Sequence, residues 1–95
     1  MNDLLDQWTA THRFLEEARS FLPGCSDPDR LRWYGEFLEH NELESALEQL
    51  ELAARGKSCS PCFWRALLSA SESMGLDDHS CRFADALRQA EELAG

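Results

Sequence analysis

The chain carries two groups of residues whose types and spacing can do chemistry. In the first, Cys59-Ser60-Pro61-Cys62 sets two thiols at C-x-x-C spacing where a helix is expected to begin. Backbone N–H groups and the macrodipole at a helix start stabilise a thiolate, so redox chemistry is open to such a pair. A dithiol oxidoreductase, however, carries this motif after a strand of a βαβ unit, and no such strand precedes it here. Zinc suits these residues better. Cys59 and Cys62 would supply two ligands, and His79 and Cys81, closer together than is usual, would complete a tetrahedral set. The plainer alternative makes the cysteines small, partly buried apolar residues. Cys25 has no partner nearby in sequence, and a disulfide between Cys59 and Cys62 would be an oxidation product in a reducing compartment.

The second group is acidic. Glu36, Glu39, Glu42, Glu44, Glu48 and Glu51 follow one another with no Lys or Arg before Arg55. A helical residue advances about 100°, so Glu44, Glu48 and Glu51 share one flank of a helix, beside its apolar stripe. The Glu44/Glu48 pair costs a few tenths of a kcal/mol, and Glu51 recovers a similar amount by facing Arg55. Such a run is either a solvated face or a docking surface for a basic protein. Trp33 bears on the choice. A tryptophan at helical spacing ordinarily packs in a core, which is the reading for Trp8 and Trp64. On a helical wheel, however, Trp33 lies away from Leu31 and Leu38 and beside Glu36, and an exposed aromatic next to acid has the composition of an interface hot spot.

The overall charge bounds the partners. Eighteen acids against nine bases give a formal charge of -9. That sign repels phosphates and anionic lipid, which argues against direct binding to nucleic acid or a membrane surface. It attracts a basic protein, raising the association rate more than the final affinity. Solubility alone would also account for it. Catalysis finds little support: His12, His40 and His79 fall in three segments, and no G-x-S-x-G, H-E-x-x-H, phosphate loop or EF-hand pattern accompanies them. His40 reads as a polar residue near a helix end and His12 as a partly buried boundary residue.

These residues need helices to position them. In the first, Asn2 or Asp3 caps a segment whose apolar positions Leu4, Leu5, Trp8, Leu15, Ala18 and Leu22 recur with helical period, and Pro23-Gly24 ends it. Ser26 or Asp27 caps the second, with Pro28 in its first turn and Leu31, Tyr34, Phe37 and Leu38 on its face. The chain turns at His40-Asn41, where Asn41 and Glu44 form a capping-box-like N-x-x-E. The competing reading is a bent continuous helix, since neither Pro nor Gly stands there. Leu43, Ala46, Leu47, Leu50 and Ala54 form the third stripe, stopped by Gly56. Ser58 or Ser60 with Pro61 opens a fourth helix bearing Phe63, Trp64, Leu67, Leu68, Ser71 and Met74, closed by Gly75. Asp77 or Asp78 caps the fifth, along which Phe83, Ala84, Leu87, Ala90 and Ala94 recur. No segment alternates like a strand, and Val and Ile are absent. The N-terminus lacks the pattern of a secretory signal, and no stretch approaches the roughly 20 apolar residues of a membrane helix. A cytoplasmic location with reduced thiols is the expectation.

Leu31-Arg32-Trp33-Tyr34-Gly35-Glu36-Phe37, then Glu42-Leu43-Glu44-Ser45-Ala46-Leu47-Glu48-Gln49-Leu50, then Phe63-Trp64-Arg65-Ala66-Leu67-Leu68 and Met74-Gly75-Leu76 resemble small all-helical bacterial immunity proteins of the Maf immunity type, over about residues 28 to 76. The resemblance implies a protein that neutralises a toxin encoded beside it, often a nuclease. It assigns no role to any single residue. Such toxins are commonly basic, so the resemblance and the charge point the same way.

Together these readings predict an all-α protein, a compact bundle of about five short helices forming one domain over residues 1–95. It acts by binding rather than catalysis, as an immunity protein that inhibits a basic, nuclease-like toxin. Glu36, Glu39, Glu42, Glu44, Glu48 and Glu51 would meet the partner's Lys and Arg, and Trp33 would add apolar contact. The alternative is a small helical adaptor or regulator that pairs with a second copy through an apolar stripe, with a structural zinc at Cys59 and Cys62.

Overall fold

The helices form where apolar residues recur with helical period. A computed structural model of the chain describes residues 3–22, 28–55 and 59–94, with the side chains of 8–22, 28–55 and 59–93. Five helices run in chain order: α1 (Asp3–Ser20), α2 (Pro28–Glu39), α3 (Leu43–Ala54), α4 (Pro61–Ser73) and α5 (Asp77–Ala94). The all-α expectation holds, and among the described residues there is no strand. Asn2, Pro23-Gly24, Cys25, Ser26, Asp27, Gly56 and Ser58, and the side chains of Asp3, Leu4, Leu5 and Ala94, lie outside the described residues.

The α4 start follows expectation. Ser60 is extended (φ -67°, ψ 156°), its hydroxyl accepts from the Phe63 N–H at 3.4 Å, and Pro61 follows at the position whose N–H needs no partner. Two other caps differ from those expected. Asp77 and Asp78 occupy the first turn of α5 instead of capping it, so their charge faces the positive end of the helix dipole. Leu76 precedes them, and its carbonyl accepts from the Ser80 N–H at 2.9 Å.

The turn at His40-Asn41 is a true break, but Asn41 closes α2 rather than opening α3. Its φ is +61°, in the left-handed region where asparagine is among the few tolerated side chains. The Glu42 N–H donates to the Phe37 carbonyl at 2.8 Å and the Asn41 N–H to Leu38 at 3.1 Å, the paired bonds of a Schellman C-terminus. Glu42 is then the residue before α3, with no side-chain capping bond. The end of α4 repeats the device with Gly75 (φ +71°): Leu76 N–H to Ser71 at 3.0 Å, Gly75 N–H to Glu72 at 3.1 Å. In each case the extra conformational freedom sits at the residue that reverses the chain.

The packing order is not the chain order. α4 lies between α1 and α5, α2 and α3 form a hairpin, and α3 docks that hairpin onto α1 and α4. The shared core is Leu15, Ala18, Tyr34, Leu38, Leu43, Ala46, Leu47, Leu50, Ala54, Phe63, Ala66, Leu67, Ala70 and Phe83. Burying one such leucine or phenylalanine is worth about 1.5–3 kcal/mol. The radius of gyration is 12.8 Å, close to the roughly 13 Å expected of a 100-residue domain. Two hydroxyls are buried with partners: Ser71 donates to the Leu68 carbonyl and meets Ser80, each at 2.8 Å, and Thr11 bonds Ser73 across the α1–α4 seam. Trp8, read as core, is 46% exposed, while Trp64 packs against the core between Phe63 and Phe83. Ala84 also lies outside the core, because the buried face of α5 narrows to Phe83 with Ala86, Leu87 and Ala90 at its edge.

Candidate functional site

The acidic stretch spans the α2–α3 hairpin, and the hairpin divides it. Glu36 and Glu39 lie on the last turns of α2, Glu42 in the turn and Glu44 in the first turn of α3, all exposed. Among the described residues none of these four takes part in an ion pair or side-chain hydrogen bond. Trp33 stands near Glu36 on α2, 43% exposed, with its ring stacked on Phe37 at 5.9 Å between centroids. Glu39 is turned roughly 120° from Trp33 around the helix. It lines an open cleft of about 510 Å³ between α1 and α2 together with His12, Glu16, Arg19, Tyr34 and Asn41. His12 is half-buried there, and His40 is exposed in the turn.

Tyr34 forms the floor of that cleft. Its residue is 2% exposed, and among the described residues no hydrogen bond of good geometry reaches its hydroxyl. Burial pushes the phenol well above its usual pKa, and the Glu16 carboxylate pushes the same way.

Glu48 and Glu51 face inward to α5 instead. Arg82 donates from Nε to Glu51 Oε2 at 3.0 Å and from Nη2 to Oε1 at 2.9 Å, a two-pronged guanidinium–carboxylate bond. That bond to Glu51 raises the Arg82 pKa, and the Glu48 and Asp78 carboxylates add to it. Glu48 Oε2 lies 3.2 Å from His79 Nε2. Glu51 therefore faces Arg82 rather than Arg55, the partner expected from sequence. Arg55 caps the end of α3 in extended conformation, its N–H donating to the Leu52 carbonyl. Both cross-helix pairs join residues 31 apart, so α3 and α5 run in the same sense and meet in register. The one signal of this in the sequence is the matched spacing: His79 and Arg82 are three apart, as are Glu48 and Glu51.

The expected zinc ligands are not gathered. Cys59, Cys62 and Cys81 are thiols outside any disulfide, and Cys62 and Cys81 are exposed. Cys62 lines a groove with Phe14 of α1 and Phe21 just after it, whereas Cys81 stands on α5 beyond α4. His79 is held by Glu48 and meets Phe83 edge-on at 6.1 Å, away from the thiols. Among the described residues the group that does bring three ligand atoms within 4.8 Å of one another is Glu44, Glu48 and His79.

No protein-family model, no curated protein and no solved structure matches the chain. Function therefore rests on the geometry. The arrangement can present acid and one aromatic to a basic surface along α2 and the turn, while the rest of the acid ties α3 to α5. Among the described residues no helix is long and apolar enough to cross a membrane.

Proposed function

We propose that the protein acts by binding a basic protein through the α2–α3 hairpin, and that it serves as an immunity protein neutralising a nuclease-like toxin. The observation that carries the reading is the set Glu36, Glu39, Glu42 and Glu44, exposed and without ion-pair partners among the described residues, beside the half-exposed Trp33. A carboxylate that has found no partner within its own fold loses none on docking. Its pairing with an incoming Lys or Arg adds to association instead of exchanging one bond for another. Trp33 supplies an apolar anchor on a rigid helix, already braced by Phe37, so little side-chain entropy remains to be lost. Glu48 and Glu51 contribute to the field that steers a basic partner, but their carboxylates are engaged with His79 and Arg82.

The toxin assignment rests on the resemblance to Maf-type immunity proteins and on the charge of -9, which suits a partner whose own site binds phosphates. It is tested in the native organism. A tagged copy should retain one basic protein near one to one, and that protein should arrest growth when expressed alone and be harmless when co-expressed. A retained partner that is harmless alone would leave the binding face and remove the toxin; retention of no specific protein at low salt would remove both.

A second reading, an adaptor that pairs with its own copy, draws on Trp8 of α1 and Phe21 just after it, which are 46% and 40% exposed. It predicts a concentration-dependent dimer in sedimentation, weakened by Trp8→Ala.

A further inference from the structure

We infer that Glu44, Glu48 and His79 form a site for one divalent transition metal of the zinc type. The inference does not rest on the docking role of the hairpin. His79 Nε2 and Glu48 Oε2 are 3.2 Å apart. Two ligands on a tetrahedral shell with bonds of about 2.0–2.1 Å stand roughly 3.3 Å apart, so an ion fits between these two atoms as they are placed. Glu44 completes the group from one helical turn upstream, its nearest oxygen within 4.8 Å of both. It must close by at most about 1.5 Å to reach the same shell, and it is exposed and free to do so.

The site is partly built in advance. The His79 side chain is 13% exposed and its ring meets Phe83 edge-on, so the imidazole has little freedom to lose. Arg82, the guanidinium one turn along, is committed to Glu51 by two bonds, which leaves the Glu44 and Glu48 carboxylates facing a single imidazole. A dication would balance these two carboxylates. One imidazole nitrogen with two carboxylate oxygens suits zinc, cobalt, nickel, iron or manganese, and not calcium or magnesium, which take all-oxygen shells. Three protein ligands leave a fourth position on the solvent side, past the exposed Glu44. Metal binding and docking would compete for Glu44.

The test is a titration of the full, untagged chain with cobalt(II), followed by d–d absorption, and with zinc in competition, followed by calorimetry. The site predicts one equivalent bound in a four- or five-coordinate spectrum without thiolate charge-transfer bands. Affinity should fall at least about tenfold in His79→Ala and in Glu44→Gln. It should be unchanged when all 4 cysteines are replaced by serine. Glu44→Gln changes an exposed side chain and leaves the fold intact, so its loss of affinity cannot be blamed on misfolding, and circular dichroism checks His79→Ala. Absence of stoichiometric binding, equal affinity in the His79→Ala and wild-type chains, or loss of binding only in the cysteine-free chain would each overturn the assignment.

Discussion

The two halves of one acidic stretch end in opposite situations. Glu36 to Glu44 stand open around the α2–α3 turn without ion-pair partners among the described residues, whereas Glu48 and Glu51 are half-buried and bound across to His79 and Arg82 of α5. Their spacing in sequence does not distinguish them. What does is the side chain that faces each: His79 and Arg82 of α5 reach Glu48 and Glu51, and among the described residues no ion pair reaches Glu36, Glu39, Glu42 or Glu44. A run of like charge is thus two objects, one part of the fold's own cohesion and one available to a partner. Repulsion between neighbouring glutamates, a few tenths of a kcal/mol, is too small to have settled which is which.

Charge reversal separates the halves most sharply. Glu51→Lys removes a two-pronged bond and sets an ammonium against Arg82, so it should cost about 2 kcal/mol in urea unfolding, while Glu36→Lys stays within about 0.5 kcal/mol. Similar costs for the two would erase the distinction. The reverse pattern is expected in association. Glu36→Lys with Glu42→Lys should slow binding to a basic partner about tenfold at low salt, read by stopped flow, with Glu51→Gln slowing it less than about threefold.

A smaller effect refines the contrast. A double-mutant cycle on Glu51→Gln and Arg82→Met should give a coupling of about 0.5–1 kcal/mol that shrinks at high salt, because Arg82 is half exposed. Arg32 and Glu36, four apart on α2 but not ion-paired, should couple by less than a few tenths of a kcal/mol. The smallest expected effect lies at the joint between the halves. Asn41→Gly should raise stability by about 0.5 kcal/mol, since Asn41 holds φ +61° at the end of α2. Were Asn41 instead the N-cap of α3, the same change would lower stability by a few tenths of a kcal/mol.

Much of the fold was legible because helix signals are local. Ser60-Pro61, the stop at Gly75 and the stripe Leu43, Ala46, Leu47, Leu50 and Ala54 each declare themselves within a few residues, and all are found in place. Asn41 shows the limit of that locality. One asparagine suits both a helix start and a left-handed helix end, and the backbone bonds from Glu42 and Asn41 back to α2 decide it. The candidate site was less legible, because its character depends on which helices become neighbours. α1 packs on α4 rather than on α2, which leaves Trp8 exposed and opens the cleft floored by Tyr34. Likewise His79 was paired in sequence with Cys81, two residues away, but on a helix such residues point apart, and a glutamate 31 residues upstream holds it instead.

The most direct test of the account compares two tagged chains, wild type and Glu36→Lys with Glu42→Lys, for what each retains from the native organism as salt rises from low to moderate. The account predicts one basic protein, held near one to one by the wild type, released by salt and absent from the variant, with both chains equally folded. Retention of the same protein by both, or of no specific protein by the wild type at low salt, would contradict it.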